Sequence, residues 1–88
     1  MFYVYVIKSK KFDNLYIGST SDLKERIIKH NKGLVKSTKD KKPYMLLYYE
    51  AYNVESDARR REKMLKFRGQ ARNQLKLRIK DTLAQNES

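Results

Sequence analysis

The sequence has 88 residues and contains no cysteine, a single histidine, one proline and three glycines. The lack of cysteine excludes disulfides, thiolate nucleophiles and cysteine metal sites, and one histidine excludes a multi-histidine metal cluster. The apolar run from Phe2 to Ile7 is too short for a signal peptide or a membrane span. We therefore expect a cytoplasmic protein with one domain at 1–83 and a frayed tail at 84–88.

Acidic residues are scarce relative to basic ones, with 10 Asp and Glu against 21 Lys and Arg and a net charge of +11. A surface of this charge attracts polyanions and raises their local concentration. We expect nucleic acid as the partner, DNA rather than RNA, with no membrane and no small-molecule cofactor. The alternatives are non-specific contact with nucleic acid and docking on an acidic protein. The sequence predicts no particular oligomeric state.

The residue pattern predicts six elements in the order β-β-α-β-α-α. The first two strands are rich in aromatic and β-branched residues and are separated by a polar loop, which predicts a hairpin. The third strand is almost continuously apolar from Met45 to Tyr49, which indicates a central strand with both faces covered. We expect strands at 2–7, 15–19 and 43–52, helices at about 22–32, 55–67 and 70–83, and a short helical turn at 35–38.

The side-chain pattern of the hairpin also predicts its register. One face of the ribbon is wholly apolar if Val6 pairs with Leu15. This register brings Tyr5 opposite Tyr16 on the other face, so that the two phenols are cross-strand neighbours. Gly18 then leaves room beside the phenols for a ligand to approach the backbone.

Glu62 is the only acidic residue between Arg59 and Lys80. Helical spacing places it between Ala58 and Leu65, which are expected to face inward. An inward carboxylate needs a partner, and one candidate is a divalent cation such as Mg²⁺ or Mn²⁺. The alternative is an ion pair with Lys66, one turn further along the helix.

Arg26 and His30 are four residues apart on the first helix and therefore share a face. A guanidinium matches phosphate oxygens, and an imidazole beside it could move a proton or hold an attacking water. The alternative is a solvent-exposed polar face. Tyr5 and Tyr16 could add two phenols to this group, or could serve only to stabilise the hairpin. As catalysts they would need a nearby cation to lower a pKa that is ordinarily about 10.

The basic runs at 36–42 and 59–80 are expected to contact phosphates, which confers affinity without sequence choice. The alternative is a solvated face that keeps the protein in solution. The residues that we expect to bind nucleic acid are Gly18, Lys36, Lys39, Lys41, Arg59, Arg60, Lys66, Arg68 and Arg72.

Taken together, the order and spacing of these motifs resemble the GIY-YIG nuclease family. The likeness is to its small standalone bacterial members, which are similar to the N-terminal catalytic domain of the excision-repair nuclease. It runs from about Phe2 to Leu77, although the first tripeptide keeps only the phenol of Gly-Ile-Tyr. The motifs that carry the resemblance are Tyr3-Val4-Tyr5, Tyr16-Ile17-Gly18, the segment from Gly18 to His30, and Arg61-Glu62.

The resemblance implies an α+β fold in which a three-stranded antiparallel sheet is flanked by helices. It implies that Tyr5 and Tyr16 line an active site, with one of them acting as general base near the attacking water. Arg26 would stabilise charge on the scissile phosphate with help from His30. Glu62 would hold one divalent metal, Mg²⁺ or Mn²⁺. Larger members carry an active-site asparagine beyond the glutamate, and Asn73 lies at a suitable distance in the sequence.

The sequence therefore predicts a metal-dependent endonuclease that hydrolyses phosphodiester bonds in DNA. We expect structure-selective or weakly sequence-selective cleavage, with a role in DNA repair or recombination. The alternative is a non-catalytic module on the same fold that binds DNA or RNA. A third interpretation is an RNA- or ribosome-associated protein.

Overall fold

A computed structural model describes residues 1–85 of the chain. The predicted α+β class, with three antiparallel strands and flanking helices, is confirmed, as is the order of the elements. None of the helices in this described range is long and apolar enough to cross a membrane. The elements are β1 (Phe2–Ser9), β2 (Leu15–Thr20), α1 (Leu23–Asn31), a short 3₁₀ turn (Lys39–Lys41), β3 (Tyr44–Tyr52), α2 (Glu55–Phe67), α3 (Gly69–Arg78) and α4 (Lys80–Gln85).

The last predicted helix is divided into two. At Ile79 the backbone leaves helical geometry, with φ −111° and ψ 28°, and α4 begins at the next residue. Leu75 and Ile79 still both face the core, so the division does not change which side of the segment is buried. α4 continues through Ala84 and Gln85, where a frayed tail was expected, and residues 86–88 of that tail lie outside the described range.

The strand order is β2-β1-β3, so the prediction of a central third strand is wrong. β1 is the central strand, and its residues from Val4 to Ile7 are all buried. β3 lies at an edge, where Leu46 is 38% and Tyr49 is 52% exposed. Helices pack on both faces of the sheet, so a strand can carry apolar side chains on both of its faces. An edge strand such as β3, with one partner strand, can therefore have a continuous apolar run.

The predicted hairpin register is wrong by two residues. Tyr5 pairs with Gly18, while Tyr16 pairs with Ile7. Because side chains alternate with a period of two, a shift of two leaves every residue on its predicted face. Tyr5 and Tyr16 therefore share a face, but they are diagonal neighbours and do not lie directly opposite each other.

Two local features explain the observed register. The phenol of Tyr5 lies across Gly18, and a Cβ at position 18 would be only 2.5 Å from Tyr5 Oη. A side chain at position 18 of β2 would therefore collide with the Tyr5 ring in its observed orientation. At the turn, Ser9 Oγ accepts hydrogen bonds from the amides of Lys11 and Phe12 at 3.1 Å, which stabilises the loop between the strands.

Each face of the sheet carries its own apolar cluster. α2 and α3 pack on the face that presents Val4 and Val6, where Ala58, Leu65, Leu75 and Ile79 complete the main core. α1 packs on the opposite face, which presents Tyr5, Ile7 and Tyr44. α1 is held in place by its ends, because Asp22 accepts a hydrogen bond from the amide of Glu25 and Gly33 follows the helix at φ +75°.

Candidate active site

On the face covered by α1, buried polar side chains form a continuous chain of hydrogen bonds. Tyr5 Oη lies 2.7 Å from His30 Nε2, and His30 Nδ1 lies 2.7 Å from Thr38 Oγ1. Thr38 donates in turn to the carbonyl oxygen of Val35 at 3.4 Å. Tyr5 and His30 have no exposed surface, so these contacts replace water for all the polar atoms involved.

The donors and acceptors in this series of hydrogen bonds indicate which atoms carry the protons. If Thr38 donates to the Val35 carbonyl, its oxygen accepts from His30 Nδ1–H. His30 Nε2 is then free to accept the phenolic proton of Tyr5. This arrangement gives every donor an acceptor, whereas the other tautomer leaves the Tyr5 hydroxyl proton without one among these contacts. His30 is therefore neutral, with its proton on Nδ1.

Burial shifts the pKa values of both groups. It lowers the pKa of His30 to about 4, with a further contribution from the positive charge of Arg26. Burial raises the pKa of Tyr5, and although the hydrogen bond from Arg26 acts in the opposite direction, burial prevails. The expectation of a lowered phenol pKa is therefore wrong for Tyr5, because this ring is fully enclosed.

Arg26 reaches the Tyr5 oxygen from α1. Its Nε donates to Tyr5 Oη at 3.4 Å, and this hydrogen bond contributes most to a raised pKa of the guanidinium. The side chain is partly buried and borders a polar pocket of about 350 Å³ at the β2 edge of the sheet. The other residues that line this pocket are Phe2, Ser19, Thr20, Ser21, Glu55, Ala58 and Arg59.

Glu62 projects from α2 toward β2. Its Oε1 accepts a hydrogen bond from Ser19 Oγ at 2.6 Å, and Oε2 lies 2.7 Å from the ammonium of Lys66. Burial by itself would raise the pKa of this carboxyl, but the hydrogen bonds from Lys66 and Ser19 outweigh it and keep the pKa below its ordinary value. Glu62 is thus ionised at neutral pH and its side chain is 18% exposed.

The carboxylate and the phenols lie on opposite faces of the sheet but meet around its edge. Ser19 faces the α2 side and Gly18 the α1 side, and β2 has no further strand beyond it in the described part of the chain. Lys66 extends past this edge to within 5.7 Å of the Tyr16 ring centroid, and the charge of Glu62 contributes to the raised pKa of Tyr5. Lys66 therefore links Glu62 to Tyr16 around this edge, while the polar pocket is bordered by Arg26 and Ser19 and not by Glu62 or the two phenols.

A second ion pair controls how α2 is rotated above the sheet. Arg61, the neighbour of Glu62, points to the other edge, where its Nε and a terminal nitrogen donate to Glu50 of β3 at 3.0 and 3.1 Å. The hydroxyl groups of Tyr48 and Tyr52 also donate to Glu50. With Arg61 bound to β3, Glu62 is directed toward β2. Sequence reasoning did not identify this pair, because the strand order was not known.

The donors around Glu62 fit a hard divalent cation that keeps much of its water. Glu62 supplies one ionised, partly exposed carboxylate, and Ser19 supplies a hydroxyl beside it. Within the described residues no cluster of three or more His, Cys, Asp or Glu side chains could hold a metal. A site of this kind suits Mg²⁺ or Mn²⁺, which bind through one or two carboxylates with water and substrate phosphate as the other ligands.

The predicted nucleic-acid-binding residues occupy several positions. Gly18, Arg59 and Lys66 lie at or beside the site. Arg60 forms an ion pair with Asp57, and Arg72 donates to two carbonyl groups near the end of α2. The exposed residues Lys36, Lys39, Lys41 and Arg68 lie outside the hydrogen-bonded group, and Asn73 is exposed on α3.

Two residues of the site were not found from the sequence. Thr38 lies in the segment at 35–38 that was predicted as a short helical turn. Hydrogen bonds from residues 38 and 39 to the Val35 carbonyl make it a turn, and the short 3₁₀ helix follows at Lys39–Lys41. Ser19 follows Gly18 in the second motif. The only sequence signal for either was its position in a segment already assigned to the fold, because neither residue type is unusual in a turn or a strand.

The buried imidazole predicts a dependence of stability on pH. Because the pKa of His30 is about 4 in the folded chain and about 6.5 when unfolded, the unfolded state binds more protons between these values. The free energy of unfolding should therefore fall as the pH is lowered, by about 3 kcal/mol between pH 7 and pH 4. Urea unfolding measures the loss, and an NMR titration of this single histidine should show no protonation down to about pH 5. A midpoint near 6.5 would contradict the buried neutral state.

The sequence and the fold of this protein are both similar to those of known proteins. The sequence model described as the GIY-YIG catalytic domain matches residues 1–76. A UPF0213 protein of Staphylococcus saprophyticus is 42% identical over 65 residues, which are 73% of this chain and 78% of that protein. A UPF0213 protein of Staphylococcus epidermidis is 40% identical over the same length. The solution NMR structure of the UPF0213 protein BH0048 from Bacillus halodurans is similar with a TM-score of 0.54 and 30% identity, covering 90% of this chain and 87% of that one.

Proposed function

Since the match over residues 1–76 shows that this chain belongs to the GIY-YIG family of nuclease domains, we propose that it is a metal-dependent DNA endonuclease. It hydrolyses phosphodiester bonds with structure preference or weak sequence preference, in the bacterial cytoplasm, during repair or recombination. The observation that supports this most is the meeting of Glu62 with the Tyr5–Arg26 pair around the β2 edge. Phosphoryl transfer depends mainly on positioning and on neutralisation of charge, and this group of side chains supplies both.

In this proposal Arg26 is the residue that binds the scissile phosphate. Its Nε is directed to Tyr5, a hydrogen bond with Tyr16 also acts on the guanidinium, and the planar fork of donors matches phosphate oxygens. The partly exposed side chain borders the polar pocket, so a phosphate can reach it from solvent. Donors that are already in position stabilise the negative charge that develops on the phosphoryl oxygens.

Tyr5, His30 and Thr38 act as positioning residues. Their side chains are buried, and so they reach the substrate only through Arg26. The chain of hydrogen bonds fixes the Tyr5 oxygen, and the Tyr5 oxygen fixes the guanidinium. A neutral His30 has a further advantage, because a charged imidazolium so close to Arg26 would repel it.

Tyr16 is the phenol that contacts the attacking water. It is only partly buried, while Tyr5 is enclosed, and its ring lies 6.4 Å from that of Tyr5. As general base Tyr16 acts in its phenolate form: the water oxygen bonds to phosphorus, the phenolate oxygen takes the water proton and becomes the neutral phenol, and the bond to the leaving oxygen breaks. Glu62 holds the divalent cation, which neutralises charge on the leaving oxygen when bound.

The test of this function is a panel of labelled duplex, forked, flapped and single-stranded DNA substrates, each incubated with and without Mg²⁺ or Mn²⁺. We expect metal-dependent nicking that is lost when Glu62→Gln removes the ligand charge, while DNA binding persists. Asp57→Asn is the matched control, because it removes an exposed carboxylate of the same helix that does not line the polar pocket. It should leave the nicking rate within about twofold of the wild type.

Three other outcomes would change this assignment. Nicking by Glu62→Gln at the wild-type rate would remove Glu62 from the metal site. Binding without cleavage on every substrate would favour the nucleic-acid-binding module. RNA bound far more tightly than DNA at equal salt would favour a protein associated with RNA or the ribosome, because the phosphate term depends strongly on salt and must be matched.

A further inference from the structure

The ammonium of Lys66 lies between the Glu62 carboxylate and the Tyr16 ring, on the side of the carboxylate where a bound cation would also be near the phenols. Lys66 Nζ is 2.7 Å from Glu62 Oε2 and 5.7 Å from the centroid of the Tyr16 ring. Ser19 is hydrogen bonded to the other carboxylate oxygen, so Oε2 is the oxygen directed toward the site. The sequence left open a metal or Lys66 as the partner of Glu62, and the structure shows the ion pair.

We propose that Lys66 occupies the cation position of Glu62 in the free protein and leaves it for a phosphate of the bound DNA. Binding of the divalent metal is then coupled to binding of the substrate. This inference rests on the proposed function, since it takes Glu62 as the metal ligand. Lys66 is thereby a residue that determines when the site accepts its metal.

Electrostatics supports competition between the two cations. An ammonium in contact with the carboxylate and a divalent ion on the same oxygen would repel each other at short range. Arg59 adds a further positive charge that acts on Glu62, and the chain as a whole carries a net charge of +11. A divalent cation therefore enters a positive field unless phosphate groups are present to offset it.

The small number of protein ligands for the metal also supports coupling between metal binding and DNA binding. Glu62 is one carboxylate, and Mg²⁺ or Mn²⁺ held by one carboxylate commonly depends on substrate phosphates for further ligands. Arg26 contacts Tyr5 and Lys66 lies beside the Tyr16 ring, so a phosphate bound at this pair of phenols would attract the Lys66 ammonium. The Lys66 side chain is 36% exposed and has a flexible stem, so it can move without disturbing the core.

The test compares the Mn²⁺ affinity of the wild type with that of two full-length variants in the absence of DNA. Electron paramagnetic resonance of the free ion measures each affinity. Lys66→Met keeps the apolar stem and removes the charge, and we expect it to bind Mn²⁺ at least about fivefold more tightly than the wild type. Lys63→Met is the matched control, because it removes an exposed charge from the same helix. It should change the affinity by less than about twofold.

A second measurement examines the coupling itself. Mn²⁺ should tighten binding of a fluorescent oligonucleotide to the wild type, as reciprocity between two coupled ligands requires. The same increase should be smaller in Lys66→Met, where no ammonium has to be displaced. Anisotropy at constant ionic strength, recorded before cleavage proceeds, gives both values.

The outcomes separate this inference from the proposed function. Equal Mn²⁺ affinity in the wild type, Lys66→Met and Lys63→Met would overturn the competition while leaving the endonuclease intact. If the double variant Glu62→Gln and Lys66→Met binds Mn²⁺ as tightly as Lys66→Met alone, Glu62 is not the ligand and both proposals fail. No detectable binding by Lys66→Met would also overturn the inference.

Discussion

Replacement of Arg26 by alanine should lower the rate of DNA nicking by about 10²–10³-fold, which is the usual loss for one preorganised donor to a developing negative charge. The reason is geometric, since the hydrogen bonds with Tyr5 and Tyr16 hold the guanidinium in position for the phosphate. Single-turnover cleavage with excess protein measures the effect on the chemical step. DNA binding should weaken much less, because many other basic side chains contribute to it.

Two further variants test this interpretation of Arg26. Arg26→Lys keeps the charge but loses the planar fork and the bond from Nε, so it should restore only a small part of the rate. Lys24→Ala removes an exposed positive charge from the same helix and should leave the chemical step nearly unchanged. Equal losses in Arg26→Ala and Lys24→Ala would indicate a general effect of charge and would contradict the assigned role.

Gly18→Ala should destabilise the folded chain by about 2–4 kcal/mol and abolish nicking, because overpacking and a broken buried hydrogen bond act together. The added Cβ would lie 2.5 Å from Tyr5 Oη and 2.6 Å from Cζ, far inside contact distance. The ring cannot move outward, since Tyr5 is fully buried. Any displacement also breaks its bond to His30, which leaves Nε2 of the buried imidazole without a partner.

Urea unfolding followed by circular dichroism gives the loss of stability. Gly69→Ala is the matched control, because the nearest atom to its added Cβ, on the Arg72 side chain, is 3.7 Å away. It should be neutral or stabilise the chain by up to about 1 kcal/mol, since alanine restricts the unfolded state. If Gly18→Ala were as stable as the wild type, the Tyr5 ring could not be held as tightly as the described contacts indicate.

Local patterns in the sequence were sufficient for most of the secondary structure. α1 lies within the predicted range 22–32, with Asp22 at its start and Gly33 after its end, and the limits of α2 agree with the predicted range 55–67. Leu75 in α3 and Ile79 at the junction with α4 both lie in the core, four residues apart as helical spacing requires. These features depend on contacts within a few residues, which a periodic pattern records directly.

Features that depend on contacts between distant segments were predicted less well. The hairpin register failed because apolar alternation cannot distinguish two registers that differ by two residues. What distinguishes them is the fit of the Tyr5 ring over Gly18. The position of β3 at the sheet edge also depends on which strand pairs with which, and its apolar run fits either position.

The sequence by itself determined which reactive groups this protein has: one histidine, one acidic residue in the basic segment 59–80, the phenols of Tyr5 and Tyr16 in the hairpin, and a net charge of +11. Their types and spacing are local properties, and they sufficed to indicate the family. Only the tertiary structure decided how these groups act on one another. It buried His30 and Tyr5 as neutral partners, brought Glu62 around the β2 edge and set Lys66 against its carboxylate. The physical reason is that burial and electrostatic coupling depend on distances across the fold, which no spacing along the chain specifies.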